Sequence, residues 1–157
     1  MILGLIFAVL AIGVDQLTKF LVYGTVAKSI LGDFLWFQST LNTGVAFGLF
    51  QDGNLFFIVL SAVVCVVILW IMLAKKFFIS KLQNISFGLI LGGAVGNLLD
   101  RIIFHGVRDF IYLKFMNFAI FNFADMCVVV GVILFVATIL FAKKEKSVQE
   151  KQDGTEH

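Results

Sequence analysis

The chain has 157 residues, of which 61% are hydrophobic and 14% charged, with 19 Phe and no Pro. Its mean hydropathy is +1.04. A disordered chain needs the reverse balance, and the surface of a soluble domain would be poorly covered by 12 basic and 10 acidic side chains. Two Cys make no disulfide scaffold, and a net charge of +2 argues against a nucleic-acid binder. What remains is a small membrane protein of one domain.

Uncharged runs mark its spans, since a membrane helix needs about 20 mostly apolar residues. The first run, Met1 to Val14, is too short alone and must continue through Asp15 and Lys19 to Tyr23. It lacks the positive n-region and clear cleavage site of a signal peptide, so it reads as a span. The segment 24–53 follows as the largest non-helical piece, and its aromatic stretch from Asp33 to Leu41 suggests strands lying on the membrane surface. Gly53 to Ala74 is uncharged over 22 residues and spans by itself. Leu82 to Leu99 and Met126 to Ala142 become long enough if each takes in the Asp at one end. The expected helices are therefore 2–23, 54–74, 82–103 and 121–142. Between the last two, the segment 105–120 reads as an apolar loop dipping into the interface. Residues 1–142 form one four-helix domain, and 143–157 a polar, disordered tail.

Lys and Arg orient the spans. Lys75, Lys76 and Lys81 cluster between helices 2 and 3, and Lys143, Lys144, Lys146 and Lys151 in the tail. Four spans put these clusters on one side, which places both termini in the cytoplasm. Lys19, Lys28, Arg101, Arg108 and Lys114 fall outside. So do all six acids before Glu145, which are Asp15, Asp33, Asp52, Asp100, Asp109 and Asp125.

Asp33 and Asp52 read as surface residues. Acids within or at the edge of a span are costly and therefore candidate functional groups. Asp15 and Lys19, four apart, share a helix face and can pair. Gly88, Gly92, Gly96 and Asp100 recur every four residues, a spacing that lets another helix approach closely. Asn97, Asp100 and Arg101 read as polar groups aimed at the bundle interior or at one another. Asn122 and Asp125 face together, and Asn122 could also cap its helix.

No H-E-x-x-H and no G-x-S-x-G occurs, and His105 and His157 are the two His. Cys65 and Cys127 read as core- or lipid-facing. Carboxylates remain. Two Asp side by side share one proton, so one can activate a water while the other polarises a scissile carbonyl. Asp15, Asp100, Asp109 and Asp125 are all candidates for such a pair, and spacing does not choose among them.

Five segments together then resemble bacterial signal peptidase II, the lipoprotein signal peptidase family. They are Asp15 to Lys19 (DQLTK), Asn42 to Phe47 (NTGVAF), Gly92 to Arg101 (GGAVGNLLDR), Gly106 to Phe110 (GVRDF) and Phe121 to Asp125 (FNFAD). The resemblance implies an all-α integral membrane protein with four transmembrane helices and a small extracytoplasmic β-structure. It implies an aspartic endopeptidase of the bacterial plasma membrane, which cleaves prolipoproteins just before a diacylglyceryl-modified Cys. Membrane lipid and the prolipoprotein would be its partners; no nucleic acid, metal or cofactor is implied, and a monomer is expected. Carried over by motif, Asp109 and Asp125 are the catalytic pair. Asp15, Lys19, Asn42, Gly44, Ala46, Asn97, Asp100, Arg101 and Asn122 support the site or bind substrate. Three positions depart from the commonest pattern. Val45 replaces Ala, Ala119 replaces Pro, and Arg108 replaces an apolar residue. A cation at 108 would lower an Asp pKa if it faced the pair.

A small proton-coupled transporter is the rival reading, because buried Asp, Lys and Asn occur there too. Acids gathered at one end of the spans favour chemistry near a membrane surface instead.

Overall fold

The computed structural model describes residues 1–44, 53–74 and 80–153, with side chains as far as 141. Four long helices and a three-stranded sheet make up the described chain. The helices are α1 (Ile2–Val22), α2 (Asn54–Leu73), α3 (Lys81–Phe104) and α4 (Phe123–Asp153); the strands are β1 (Lys28–Leu31), β2 (Leu35–Asn42) and β3 (Val107–Leu113). All four helices are long and apolar enough to cross a membrane, α4 over Phe123–Phe141.

The burial pattern is that of a lipid-facing bundle. Leu10, Phe20, Leu55, Phe56, Val66, Ile133 and Leu140 are exposed, while Asp15, Lys19, Asp100 and Asn122 are fully buried. Water would reverse this arrangement; hydrocarbon favours it, provided the inward polar groups pair with one another.

Helix α3 is the central pillar, and its glycines explain how. A Cβ at Gly92 would lie 2.7 Å from the Ala8 carbonyl oxygen of α1, closer than packing allows. One residue on, a Cβ at Gly93 would collide with the Ala124 carbonyl of α4. The two neighbours therefore meet the α3 backbone on adjacent faces, as close contact of small residues permits. Helix α2 joins through an apolar cluster in which Cys65, Ile68 and Met72 pack with Phe87, Leu91 and Ala8. At its start α3 carries a capping box: Ser80 Oγ accepts the Gln83 N–H at 3.2 Å, and Gln83 Oε1 accepts the Ser80 N–H at 3.0 Å.

The sheet order is β1-β2-β3, antiparallel throughout. The aromatic stretch 33–41, where strands are expected, holds most of β2, and β1 precedes it. The segment 105–120 is a different matter, since an apolar loop is expected there and Val107–Leu113 within it form β3. Its backbone groups pair with β2, placing Thr40 opposite Asp109, with an irregularity between Phe37 and Thr40. Val107 to Phe110 are buried, whereas Phe115, Met116 and Phe118 beyond the strand are exposed. His105 ends α3 in the left-handed conformation, at φ 57°, and turns the chain into the strand. On the other edge of β3, Phe121 N–H donates to the Ile111 carbonyl at 3.0 Å, and the Ile111 N–H returns to Phe121 O at 2.8 Å. This short bridge fixes the start of α4 against the strand.

Helix α4 also departs from expectation at its far end. It continues through the polar tail to Asp153 rather than ending near 142. Lys, Glu and Gln are good helix formers, and no Gly or Pro interrupts them before Gly154.

Candidate active site

The site is assembled where β3, α3 and α4 converge. Side chains alternate along a strand, so Asp109 and Arg108 leave β3 in opposite directions. Asp109 faces a cavity of about 720 Å³, which Asp125 also lines. Asn42, Gly44 and Arg101 complete the polar end of this cavity. Leu113, Met116, Phe118, Met126 and Val129 form an apolar wall leading away from it.

Asn122 joins the two acids. Its Nδ2 donates to Asp109 Oδ1 at 2.6 Å and to Asn97 Oδ1 at 3.1 Å. Its Oδ1 accepts the Asp125 N–H at 3.0 Å, and its own N–H donates to Asp125 Oδ2 at 3.1 Å. That exchange has the form of a capping box with Asp in the third position. One residue therefore starts α4, orients Asp125 and contacts Asp109. Asn97 Nδ2 donates to Asp125 Oδ1 at 2.8 Å, and Asn42 Nδ2 to Asp109 Oδ2 at 3.0 Å.

Behind the acids lies a buried ion network. Lys19 Nζ is 2.9 Å from Asp15 Oδ2 and 3.4 Å from Asp100 Oδ2, and donates to Asn97 Oδ1 at 3.0 Å. Asp15 Oδ1 accepts the Ala124 N–H at 2.9 Å, satisfying a donor that the first turn of α4 leaves open. The i,i+4 pairing of Asp15 with Lys19 is present, as expected. Arg101 Nη2 donates to Gly44 O at 3.1 Å, and the guanidinium lies 4.8 Å from the Phe57 ring centre. Its buried Nη1 has no acceptor among the described residues.

Every expected site residue within the described chain falls in this region. Asp109, Asp125, Asn42, Gly44 and Arg101 line the cavity; Asn97 and Asn122 hold the acids; Asp15, Lys19 and Asp100 form the network. Ala46 lies outside the described residues, as do Val45 and Asp52. Asp33 is remote, paired on the surface with Lys114 at 2.6 Å. Arg108 does not face the acids: it turns to Asp100, with Nη2 to Oδ1 at 2.8 Å. Gln16 was missed as a site residue. Its Nε2 donates to Asp15, Asp100 and the Gly96 carbonyl, each at 3.1 Å. The available signal was its place between Asp15 and Lys19 in one short motif.

Burial first, and then the charge of Asp125, raise the pKa of Asp109 to about 7 against the lowering effects of Asn42, Asn122 and Lys19. Near neutral pH this acid can therefore hold or release a proton. Among the described residues no three His, Cys, Asp or Glu side chains group as a metal-binding set.

Known proteins share both sequence and architecture with this chain. A family model described as "Signal peptidase (SPase) II" matches residues 7–141. The chain belongs to the signal peptidase II family. Membership makes it a peptidase, a hydrolase with several membrane-spanning helices. It is 36% identical over 151 residues to the lipoprotein signal peptidase of Enterococcus faecalis, covering 93% of this chain and 91% of that protein. The lipoprotein signal peptidase of Symbiobacterium thermophilum is 38% identical over 149 residues, covering 90% and 97%. That of Shouchella clausii is 39% identical over 139 residues, covering 86% and 91%. In structure, it is similar to a bacterial membrane enzyme solved in meso at 2.3 Å resolution, with a TM-score of 0.82 and 26% identity over 91% of this chain and 90% of that one. A second such enzyme, at 1.9 Å, gives a TM-score of 0.77 and 26% identity over 87% and 92%.

Proposed function

We propose that this signal peptidase II family member is an aspartic endopeptidase, with Asp109 and Asp125 as its catalytic pair. In this reading it removes the signal peptide of a prolipoprotein just before a diacylglyceryl-modified Cys. The observation that carries the proposal is the shared cavity: two acids, coupled through Asn122, at the polar end of an otherwise apolar pocket.

The chemistry follows from the surroundings. Two adjacent carboxyl groups hold one proton between them. Asp109, with its raised proton affinity, donates to the scissile carbonyl oxygen. Asp125 takes the proton from the attacking water, and Asn97 and the Asn122 N–H hold it in place for that transfer. Proton return to the leaving amine completes hydrolysis. Neither a covalent enzyme intermediate nor a cofactor is required. The pair titrates as a unit, so a rate profile reports two apparent values for both acids. Arg101 offers an open N–H beside the pair for a substrate carbonyl. The apolar wall suits acyl chains and the signal-peptide segment.

The remaining assignments belong to the same reading. Both termini are cytoplasmic, the site opens on the extracytoplasmic side, residues 143–157 are a cytoplasmic tail, and the enzyme acts as a monomer at the lipid boundary. The test is cleavage of a fluorescent diacylglyceryl lipopeptide by purified protein in detergent. Asp109→Asn and Asp125→Asn should each lose at least about a thousand-fold in kcat, in the range seen when a catalytic group is removed. EDTA should leave the wild-type rate intact. Substantial turnover by either variant would refute the pair, and strong inhibition by the chelator would point to metal-dependent hydrolysis.

A further inference from the structure

Arg108 stands next to Asp109 in sequence, and its side chain works on the opposite face of β3. It is 7% exposed. Its backbone N–H and Nε donate to Asp100 Oδ2 at 2.9 and 3.1 Å, and Nη2 donates to Asp100 Oδ1 at 2.8 Å. Nη2 also reaches Gln16 Oε1 at 2.8 Å, and the guanidinium lies 4.2 Å from the Phe104 ring centre. Asp100 thus receives a planar fork on both oxygens, a geometry that Arg provides and Lys does not.

The charged groups around it are Asp15 and Lys19 from α1, Asp100 and Arg101 from α3, Asp125 from α4, and Asp109 on its own strand. Within the buried network, Asp15 and Asp100 balance Lys19 and Arg108. Because Arg108 satisfies Asp100, Lys19 stays at 3.4 Å from that carboxylate and makes its shorter contacts with Asp15 and Asn97. Asn97 Oδ1 accepts from both Lys19 and Asn122, which leaves its Nδ2 directed at Asp125.

We propose that Arg108 is a positioning residue for the peptidase reaction. By clamping Asp100 it leaves Lys19 free to hold Asn97 against Asp125, and it pins the strand that carries Asp109. This inference rests on Asp109 and Asp125 being the catalytic pair. Without Arg108, Asp100 draws on Lys19 more strongly, Asn97 loses its anchor, and the network carries an unbalanced negative charge.

The experiment compares wild type, Arg108→Val, Arg108→Lys and Asp109→Asn as full chains in detergent, using the diacylglyceryl lipopeptide from about pH 5 to 9. Thermal unfolding is followed in parallel. Arg108→Val should lose about ten-fold or more in kcat with KM changed less than about two-fold, because geometry is lost and not substrate binding. Its kcat/KM profile should move to higher pH by about half a unit or more, since a lost cation favours the protonated acid. Arg108→Lys keeps the charge without the fork, so it should restore the position of the profile and only part of kcat. The profile's position does not depend on how much protein is folded, which separates positioning from a merely structural role. Wild-type kcat in Arg108→Val overturns the proposal, as does a rate loss with the profile unmoved. If Arg108→Val does not fold, Arg108→Lys decides: reduced kcat at an unmoved profile supports the proposal, and wild-type kcat overturns it. An active Asp109→Asn would instead defeat the catalytic pair, whatever Arg108 shows.

Discussion

Asp109 is an acid kept where an acid is expensive. Burial and the neighbouring Asp125 lift its proton affinity to about 7, from an ordinary value of 3.8. The native state therefore holds this proton more tightly than the unfolded chain does. Stability linked to it is fully present below the unfolded pKa and is lost as pH rises through the folded one, between about pH 4 and 7. Wild-type protein should then unfold at a falling temperature as pH is raised from about 5 to 8, while Asp109→Asn should show a flatter dependence. Thermal unfolding in detergent at several pH values checks this; equal slopes for the two proteins would contradict it. The variant lost to catalysis would thus be the more stable one at alkaline pH, a conflict between activity and stability common at functional sites. Asn122 shows a different economy, since a single amide caps a helix and touches both acids.

Among the elements, α3 carries the greatest constraint. Its glycines admit α1 on one face and α4 on the next, and both contacts are backbone to backbone. Gly92→Leu should therefore wedge α1 away, at a cost of a few kcal/mol on the scale of overpacked cores, with activity falling because Asp15 and Lys19 move with α1. A lowered unfolding temperature together with lost cleavage would support this; wild-type behaviour in both would contradict it. The glycine spacing and the Asp15–Lys19 pair were legible in the sequence because each rests on a local period of four residues, and the four spans because each is a long uncharged run. β3 was not. Its residues are buried by β2 and α1, partners far away in the chain, so no alternation of apolar and polar marked it as a strand. The partner of Arg108 was hidden differently, since Asp100 is reached only because the turn at His105 folds β3 back against the end of α3. The choice of Asp109 and Asp125 from four candidate acids came from family resemblance; spacing could not make it.

At the scale of the whole molecule, the buried polar groups around the site collect toward one end of the bundle, and the membrane-facing sides are apolar. The proposed orientation makes this end extracytoplasmic. A single Cys placed at His105, in a variant lacking Cys65 and Cys127, should react in intact cells with a membrane-impermeant maleimide. A Cys at Ser80, beside the opposite ends of the helices, should react only after permeabilisation. The reverse pattern would invert the topology. Placement at the outer face would bring the cavity to the side where an exported precursor presents its signal peptide, with the apolar wall turned to the bilayer.

The bond from Asp15 to the Ala124 N–H ties the first helix to the last. During synthesis, α1 enters the membrane with Asp15 and Lys19 already able to neutralise each other, and it must then wait for three further helices. Asp109 emerges before Asp125, and Asn122, which couples them, arrives with the final span. A ribosome-bound chain short of α4 therefore holds Asp109 and its partner Asn42, but neither Asp125 nor the Asn122 bridge. On the proposed catalytic pair, proteolytic competence would begin only when the last helix docks, and a half-made copy in the membrane would be harmless to the precursors around it.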